Sequence, residues 1–230
     1  MNNTVASNDA DKALAGAAAV AEVQRGMLVG LGTGSTATHA IRALAARVAD
    51  GLDVRAVATS QASDTLARCL GITMLDFADV PRVDLTIDGA DEIDPRLCAV
   101  KGAGGAMLRE KVVAAASDRM VVIADGSKRV AAIGAAPVPV EILPFAYASL
   151  MAALGEGAVL RMADGTPYVT DNGNWIADCR CDLNDPAKTA AWLDGIAGVL
   201  GHGLFLHEVN AAYIAQDGIV SRLERAGSSR

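Results

Sequence analysis

The stretch KGAGGAMLREK, from Lys101 to Lys111, places a lysine before closely spaced glycines and then opens a helix that carries a glutamate. Glycines let backbone N–H groups come close to an anion, and a fixed cation beside them favours negative charge that develops during a reaction. The helical neighbours of Glu110 three and four positions away are uncharged, so partial desolvation would raise its pKa towards that of a general base. The alternative is a solvated patch of Arg109, Glu110 and Lys111, and periodicity leaves both interpretations open.

A second glycine loop, GLGTGST from Gly30 to Thr36, follows an apolar run and opens another helix. Its N–H groups, its hydroxyls and the helix start predict a site for a phosphate or a carboxylate. The glycine spacing differs from the dinucleotide fingerprint, no acidic residue closes the next strand, and a Gly-Lys-Ser/Thr ending is missing. NAD and ATP are therefore disfavoured, and a single phosphate is the preferred ligand. The alternative is a tight turn in which Ser35 only caps the helix.

The segment DLTIDGADEID runs from an apolar strand into a loop that holds Asp88, Asp91, Glu92 and Asp94. Because the carboxyl ends of parallel strands line the ligand crevice, Asp88 and Asp91 are candidates for metal binding or for recognition of sugar hydroxyls. A solvated acidic turn is the alternative. It suits Glu92 and Asp94 better than Asp88, which directly follows the strand.

Lysines supply positive charge close to these loops. Lys128 follows the apolar run MVVIA in the turn DGSK, and Lys12 lies in the first predicted helix. Together with Lys101, they would give an acidic protein local positive charge at one crevice. For Lys128 the alternative is a surface turn without a ligand.

These loops need a scaffold, and the chain alternates short apolar runs with helical segments. The pattern predicts strands at 27–31, 54–58, 72–75, 85–87 and 120–124, and helices at 9–24, 36–48, 63–70 and 106–117. The alternation is typical of an α/β fold with a Rossmann-like, mostly parallel sheet that has helices on both faces.

After residue 125 the pattern changes to a proline-rich segment followed by shorter elements. Helices near 145–154 and 186–196 and strands near 166–169 and 175–178 predict a smaller, inserted α+β domain. We therefore predict a main catalytic domain of residues 1–133 and 211–230 that ends in a hairpin, and a smaller domain of residues 134–210. The smaller domain is expected to make oligomer contacts.

Composition excludes several classes of protein. With 230 residues, 52% hydrophobic and 20% charged, the chain can bury a sizeable core. The net charge of −7 argues against nucleic acid or an anionic membrane as a partner, and no apolar run reaches membrane-spanning length. The four cysteines lack C-x-x-C spacing and the chain has only three histidines, so a zinc site is poorly supported. Nothing marks secretion, and we expect a cytoplasmic protein.

Four segments in this order and spacing, GLGTGSTA, TIDGADEID, KGAGGAMLREK and IADGSK, closely resemble ribose-5-phosphate isomerase of the A type. The shorter matches VPVEILP, VTDNGN and GLF extend the resemblance over nearly the whole chain. The resemblance implies interconversion of ribose 5-phosphate and ribulose 5-phosphate in the non-oxidative branch of the pentose phosphate pathway. It also implies that no metal or organic cofactor takes part, and that the chain forms a homodimer or a dimer of dimers.

The resemblance further implies roles for individual residues. Glu110 would move a proton between C1 and C2 of the sugar through a cis-enediolate, and Lys101 would stabilise the enediolate oxygen. Asp88 would help to open the sugar ring, and Asp91 would orient hydroxyls. The implied substrate- and phosphate-binding residues are Thr33, Gly34, Ser35, Thr36, Gly102, Ala103, Gly104, Gly105, Lys128 and Lys12.

Two other functions, that of a phosphosugar-sensing regulator and that of a CoA transferase, are alternatives to the isomerase. A regulator domain that senses phosphosugars would normally carry a DNA-binding unit, and the acidic, alanine-rich residues before the first predicted strand contain no basic recognition helix. A CoA transferase has a similar fold and uses a glutamate as nucleophile. The sequence shows no basic track for the CoA diphosphate.

Overall fold

The computed structural model describes residues 2–226. The helices are α1 (Asn2–Val20), α2 (Ser35–Ala49), α3 (Gln61–Cys69), α4 (Met107–Ala115), α5 (Tyr147–Leu154) and α6 (Pro186–Asp194). The strands are β1 (Leu28–Leu31), β2 (Arg55–Ala58), β3 (Thr73–Met74), β4 (Leu85–Gly89), β5 (Glu92–Ile93), β6 (Ala99–Val100), β7 (Met120–Asp125), β8 (Val138–Ile142), β9 (Ala158–Leu160), β10 (Met162–Ala163), β11 (Thr166–Pro167), β12 (Trp175–Cys179), β13 (Val199–His202), β14 (Leu204–Phe205), β15 (Ala211–Gln216) and β16 (Ile219–Glu224).

The largest sheet has the strand order β16-β15-β7-β4-β1-β2-β3. Its neighbouring strands run parallel except for the hairpin of β15 and β16. Parallel strands that are covered on both faces read as continuous apolar runs, and every residue of β7 is buried. This architecture confirms the predicted Rossmann-like α/β fold.

Alternate residues of β7 pack into two separate cores. Val121 and Ile123 face α1 and α2, which contact each other over one side of the sheet. Met120 and Val122 face the other side, where α4 and the small sheet β14-β6-β5 form the cover and Phe205 fills the centre. The second face is thus covered by a helix and a three-stranded sheet rather than by helices alone.

The residues after β7 form a second sheet, which is antiparallel and has the order β13-β8-β12-β9. It packs with α5 and α6 around an apolar cluster that includes Ile142, Leu150 and Leu193. The predicted division at residues 133 and 211 stays a prediction. β14, from the predicted smaller domain, pairs with β6 of the predicted main domain, so strand pairing joins these two parts of the chain.

The predicted elements differ from the observed ones at two places that matter here. The helix predicted at 9–24 runs from Asn2 to Val20, so it begins and ends earlier. The proline-rich segment predicts no strand, yet β8 pairs there with both β12 and β13. Pro139 is compatible with β8 because the paired register with β13 ends at Val140.

Among residues 2–226, no helix combines the length and the apolar character that crossing a bilayer requires.

Candidate active site

The two glycine loops and the acidic loop converge at the carboxyl ends of β1, β4 and β7, where they surround a cleft of about 240 Å³. The predicted site residues that line this cleft are Lys12, Thr33, Gly34, Ser35, Thr36, Asp91, Lys101, Gly102, Ala103, Gly104, Glu110 and Lys128. Gly89 and Ala90 also line the cleft, although they were not among the predicted site residues. Both lie between Asp88 and Asp91 in the TIDGADEID motif, and this position could have identified them. Asp88 and Gly105 are buried next to the cleft and do not line it.

Lys101 is the centre of the chemistry at the cleft floor. It follows β6, its side chain is only 2% exposed, and its Nζ lies 3.0 Å from Asp88 Oδ2 and 3.2 Å from Glu110 Oε2. The same Nζ donates to the carbonyl oxygen of Gly89 and lies 5.5 Å from the centre of the Phe205 ring. Burial alone would lower the pKa of Lys101, but the two carboxylates outweigh it and raise the pKa, so the ammonium group stays charged.

Glu110 lies in the first turn of α4, and it is buried, with 4% of its surface exposed. Desolvation raises its pKa most, the charge of Asp88 raises it further, and Lys101 offsets only part of the effect, so the pKa of Glu110 is raised to about 8. The flanking charges point elsewhere, because Arg109 bonds to Asn172 and Lys111 pairs with Glu208 at 3.3 Å. The solvated-patch interpretation is therefore wrong for Glu110.

Asp88 ends β4 and is completely buried. Its Oδ1 accepts hydrogen bonds from the N–H groups of Thr33 at 3.0 Å and Gly89 at 2.7 Å, and its Oδ2 makes the ion pair with Lys101. A Cβ on Gly32 would lie 2.0 Å from Asp88 Oδ1, so the glycine is what lets β1 approach this carboxylate. Burial raises the pKa of Asp88, while Lys101 and the two N–H groups act against that rise.

The carboxylates of the acidic loop have two kinds of surroundings, because Asp91 faces the cleft whereas Glu92 and Asp94 bind backbone N–H groups. Asp91 lines the cleft and accepts a hydrogen bond from Ala103 N–H at 2.8 Å. Glu92 and Asp94 are buried, so the solvated-turn interpretation is wrong for both of them. Glu92 accepts two backbone N–H bonds of 2.6 Å, and Asp94 accepts backbone N–H bonds of 2.9 and 3.0 Å. Within the part of the chain that the structure describes, no group of His, Cys, Asp and Glu side chains is arranged to hold a metal ion.

The loop of residues 102–105 is a turn closed by a hydrogen bond from Gly105 N–H to Gly102 O at 2.9 Å. Gly102 and Gly105 have φ values of +108° and +80°, which side chains rarely adopt. Gly105 N–H and Ala103 N–H already donate within the protein. Among the described residues, the N–H groups of Gly102 and Gly104 are therefore the ones left for a ligand in the cleft.

The opposite end of the cleft is suited to an anion. The first N–H groups of α2 lack partners within the helix, and Gly34, Ser35 and Thr36 at this helix start line the cleft. Gly34, at φ +102°, is the N-cap residue, so the alternative in which Ser35 caps the helix is wrong. The Ser35 hydroxyl instead accepts a hydrogen bond from Lys12 Nζ at 3.0 Å, and Lys128 lines the same cleft.

Thr33 lines the cleft, but its hydroxyl is engaged on the protein side. The Oγ1 atom lies 2.8 Å from Thr59 Oγ1 and 2.8 Å from Ser60 Oγ, and the backbone N–H donates to Asp88. Thr33 therefore joins the glycine loop to the end of β2 and to Asp88. A direct phosphate contact of its hydroxyl stays a prediction.

Sequence reasoning missed two side chains that contact the loop of residues 102–105. Arg161 and Tyr168 donate hydrogen bonds to carbonyl oxygens of this loop. Both residues lie in a segment where the sequence shows only weak strand signals, and neither belongs to a motif that was singled out. Long-range contacts between two sheets leave no local pattern in a single sequence.

The assembled site has the parts that proton transfer next to a carbonyl requires. A buried carboxylate with a pKa near neutrality can act as a base, and a fixed ammonium group with free N–H donors can stabilise an oxyanion. The lysines and the helix start at the other end can hold a phosphate group.

Comparisons with known proteins agree with this geometry. The family described as Ribose 5-phosphate isomerase A (phosphoriboisomerase A) matches residues 55–218. A protein from Sphingopyxis alaskensis named ribose-5-phosphate isomerase A is 50% identical over 215 residues, which cover 92% of this chain and 94% of that protein.

Solved structures of ribose 5-phosphate isomerases also resemble this chain. The ribose 5-phosphate isomerase A of Methanocaldococcus jannaschii superposes with a TM-score of 0.89 at 35% identity, covering 93% of this chain and 97% of that chain. A D-ribose-5-phosphate isomerase in complex with phospho-erythronic acid superposes with a TM-score of 0.91 at 32% identity, covering 95% and 99%. The chain described here therefore belongs to the ribose 5-phosphate isomerase A family.

Proposed function

We propose that Glu110 is the base that moves a proton between C1 and C2 when this isomerase interconverts ribose 5-phosphate and ribulose 5-phosphate. Family membership assigns the isomerase activity. The assignment of the base is supported by a buried carboxylate whose pKa is raised to about 8 and whose Oε2 lies 3.2 Å from Lys101 Nζ. A base of that pKa is only partly ionised at neutral pH, and its ionised form is strong enough to take a proton from a C–H group next to a carbonyl.

In the aldose-to-ketose direction, Glu110 takes the proton from C2, and the C–H electron pair forms the C1–C2 double bond. The carbonyl oxygen at C1 becomes negative, which gives the cis-enediolate. The hydroxyl proton at O2 then moves to O1, and Glu110 returns its proton to C1. No electron leaves the substrate, so the step balances without a redox cofactor.

The negative oxygen needs a fixed positive environment that is present before the reaction starts. Lys101 Nζ and the N–H groups of Gly102 and Gly104 are the donors that we assign to it. Because the fold holds these donors in place before the reaction starts, they stabilise charge without reorganisation during the step. Asp91, at the cleft wall, is assigned to the sugar hydroxyls.

The role of Asp88 in ring opening stays a prediction. Its complete burial and its 3.0 Å ion pair support a different contribution, which is to keep Lys101 charged and fixed. The same carboxylate also raises the pKa of Glu110 through its negative charge.

We assign the phosphate group to the other end of the cleft, at the start of α2. Ser35 and Thr36 contribute backbone N–H groups there, and Lys12 and Lys128 contribute charge. Binding the phosphate at a distance from Glu110 fixes C1 and C2 next to the base, and such positioning supplies part of the rate enhancement.

We further propose that the chain forms a homodimer, or a dimer of dimers, through residues 134–210. Most of the large apolar side chains that the described residues expose lie in this segment. They are Leu143, Phe145, Tyr147, Val159, Met162, Val169, Trp192 and Leu200. Cytoplasmic localisation and a place in the pentose phosphate pathway are part of the same proposal, and the four free thiols are typical of a reducing compartment.

The test of the function is to incubate the purified protein with ribose 5-phosphate and EDTA and to follow ribulose 5-phosphate. We expect turnover that survives chelation, because the proposed step uses only side chains and backbone groups. Binding of ribose 5-phosphate without turnover would instead favour a sensor domain, and turnover that EDTA abolishes would contradict the metal-free mechanism.

The test of the base is the substitution Glu110→Gln. We expect kcat to fall at least about 100-fold, the scale of a lost general base, while the dissociation constant for ribose 5-phosphate stays within about threefold. Glu156→Gln, which alters an exposed carboxylate, is the matched control and should leave kcat unchanged. Near-normal turnover of Glu110→Gln would show that another residue is the base.

A further inference from the structure

The loop of residues 102–105 is held from outside the cleft by two side chains of the segment that follows β9. Arg161 Nη1 donates hydrogen bonds to the carbonyl oxygens of Gly102 at 2.8 Å and Ala103 at 3.0 Å. The Tyr168 hydroxyl donates to the carbonyl oxygen of Gly104 at 3.2 Å. Three successive carbonyl groups of the loop are therefore bound by side chains that do not line the cleft.

The direction of these carbonyl groups decides where the loop's N–H groups point. In a trans peptide, the C=O group and the following N–H group point in opposite directions. Arg161 binds the carbonyl of Gly102, and the N–H of the same peptide, from Ala103, donates to Asp91 at the cleft wall at 2.8 Å. By the same geometry, holding the Ala103 carbonyl directs Gly104 N–H into the cleft.

We propose that Arg161 is a positioning residue that aims Gly104 N–H at the negative oxygen of the enediolate. The same side chain keeps the peptide between Gly102 and Ala103 oriented towards Asp91. Arg161 contacts no substrate atom, and it acts only through the peptide groups that it binds. This inference rests on the proposed role of the loop in stabilising the enediolate.

The chemistry of the contact requires an arginine. Its Nε donates to Asp178 Oδ2 at 2.9 Å, its Nη2 donates to the other oxygen of Asp178, and its Nη1 binds the loop. A planar guanidinium group can serve both sides at once, whereas a lysine has a single nitrogen without a fixed plane. The side chain is 15% exposed, so it is mostly dry.

Tyr168 completes the support from the same side. Its ring lies against Gly105, where a Cβ would approach the hydroxyl oxygen to 2.4 Å, and the Arg161 guanidinium carbon lies 5.9 Å from the ring centre. The backbone N–H of Tyr168 also donates to the carbonyl of Arg161 at 2.9 Å. The two residues therefore form one unit that fixes the loop.

The test compares Arg161→Lys with the wild type in kcat, in KM and in the affinity for phospho-erythronic acid. The carboxylate of this compound has the planar, negative character of the enediolate. We expect kcat to fall by about 10- to 100-fold, less than the full loss of an oxyanion donor, with KM within about threefold. The affinity for phospho-erythronic acid should fall by a factor similar to that of kcat/KM, while inhibition by inorganic phosphate is unchanged.

Two further variants and a control separate positioning from stability. Tyr168→Phe removes only one hydrogen bond and should lower kcat a few-fold. The loss of kcat in Asp178→Asn should be larger than in Tyr168→Phe and smaller than in Arg161→Lys. Arg180→Lys alters an exposed arginine beyond β12 and should leave all parameters unchanged.

Wild-type kcat in Arg161→Lys, or equal losses of phosphate and phospho-erythronic acid affinity, would overturn the inference. If Arg161→Lys does not fold, the same comparison with Tyr168→Phe and Asp178→Asn decides it. If these predictions for Arg161 fail while Glu110→Gln still lowers kcat strongly, only the positioning role of Arg161 is contradicted. The proposed role of Glu110 as the base would stand.

Discussion

At the residue scale, the site depends on one ammonium group shared by two buried carboxylates. Lys101 compensates the charge of Asp88 or of Glu110 well, but it cannot fully compensate both. Asp88 has two N–H donors in addition, so ionisation is favoured there, and the proton is held preferentially at Glu110. Two carboxylates in different surroundings thus acquire different roles.

This arrangement predicts the pH dependence of catalysis. Glu110 must be ionised to act as a base, and its pKa is raised to about 8, so kcat/KM should rise with pH through this value and level off above it. The measurement is a kcat/KM profile between about pH 7 and 9.5, where the substrate phosphate, with a second pKa near 6, is almost fully dianionic. A profile that is flat over this range would show that the base is already ionised at neutral pH, contrary to the burial argument.

The sequence was sufficient to locate residues that meet at the cleft, but not to describe their surroundings. Glycine spacing, a carboxylate at the end of a strand and a glutamate with uncharged helical neighbours are local signals, and they located Glu110, Lys101 and Asp88. Whether Glu110 is buried depends on how α4 packs, and α4 contacts β4, β8 and β13, which are distant in sequence. For the same reason, the two buried carboxylates of the acidic loop looked solvated.

At the element scale, β1 and β4 must lie very close together for the site to form. Gly32 has no side chain, which lets Asp88 accept a hydrogen bond from the N–H group of Thr33, just beyond β1. The motifs VPVEILP and VTDNGN, for which the sequence indicated no role, are explained by a buried contact. Glu141 of β8 accepts hydrogen bonds from Thr170, Asn172 and Asn174. Asn172 in turn accepts a hydrogen bond from Arg109, the neighbour of the proposed base Glu110.

The close approach of the two strands predicts the effect of Gly32→Ala. The new Cβ would lie 2.0 Å from Asp88 Oδ1 and 2.5 Å from its Cα, so the strands must separate and Asp88 must leave Lys101. We expect stability to fall by about 1–3 kcal/mol, as in other overpacked cores, and kcat to fall more than about tenfold. Thermal unfolding and steady-state kinetics measure the two effects.

The control for this substitution is Gly195→Ala, at the end of α6. There a Cβ would meet only ordinary contacts, of 3.4 Å to the carbonyl oxygen of Ala191 and 3.5 Å to that of Trp192, and φ is −81°. Stability and kcat should both stay at wild-type values. If Gly32→Ala behaved like this control, the glycine would not be what allows Asp88 to approach.

At the scale of the whole molecule, an acidic chain places three lysines at the cleft where we propose that the substrate phosphate binds. The net charge of −7 disfavours nucleic acid, whereas Lys12, Lys101 and Lys128 meet at the carboxyl ends of three strands. Composition alone could not show this, because it averages over the surface. The alternation of strands and helices did predict the meeting point, since loops after parallel strands share one edge of the sheet.

The apolar surface of residues 134–210 predicts the effect of Phe145→Asp on assembly. Phe145 is 95% exposed, and a side chain of this size is rarely left in water on a monomer when other apolar groups are exposed in the same segment. We expect the wild type to elute at twice or four times the chain mass by size-exclusion chromatography with light scattering. A buried, unpaired aspartate at an interface is costly, so Phe145→Asp should shift the mass towards the monomer. Ile219→Asp places the same charge at a 73% exposed position of the β15–β16 hairpin and should leave the mass unchanged, whereas a monomeric wild type would contradict the proposed interface.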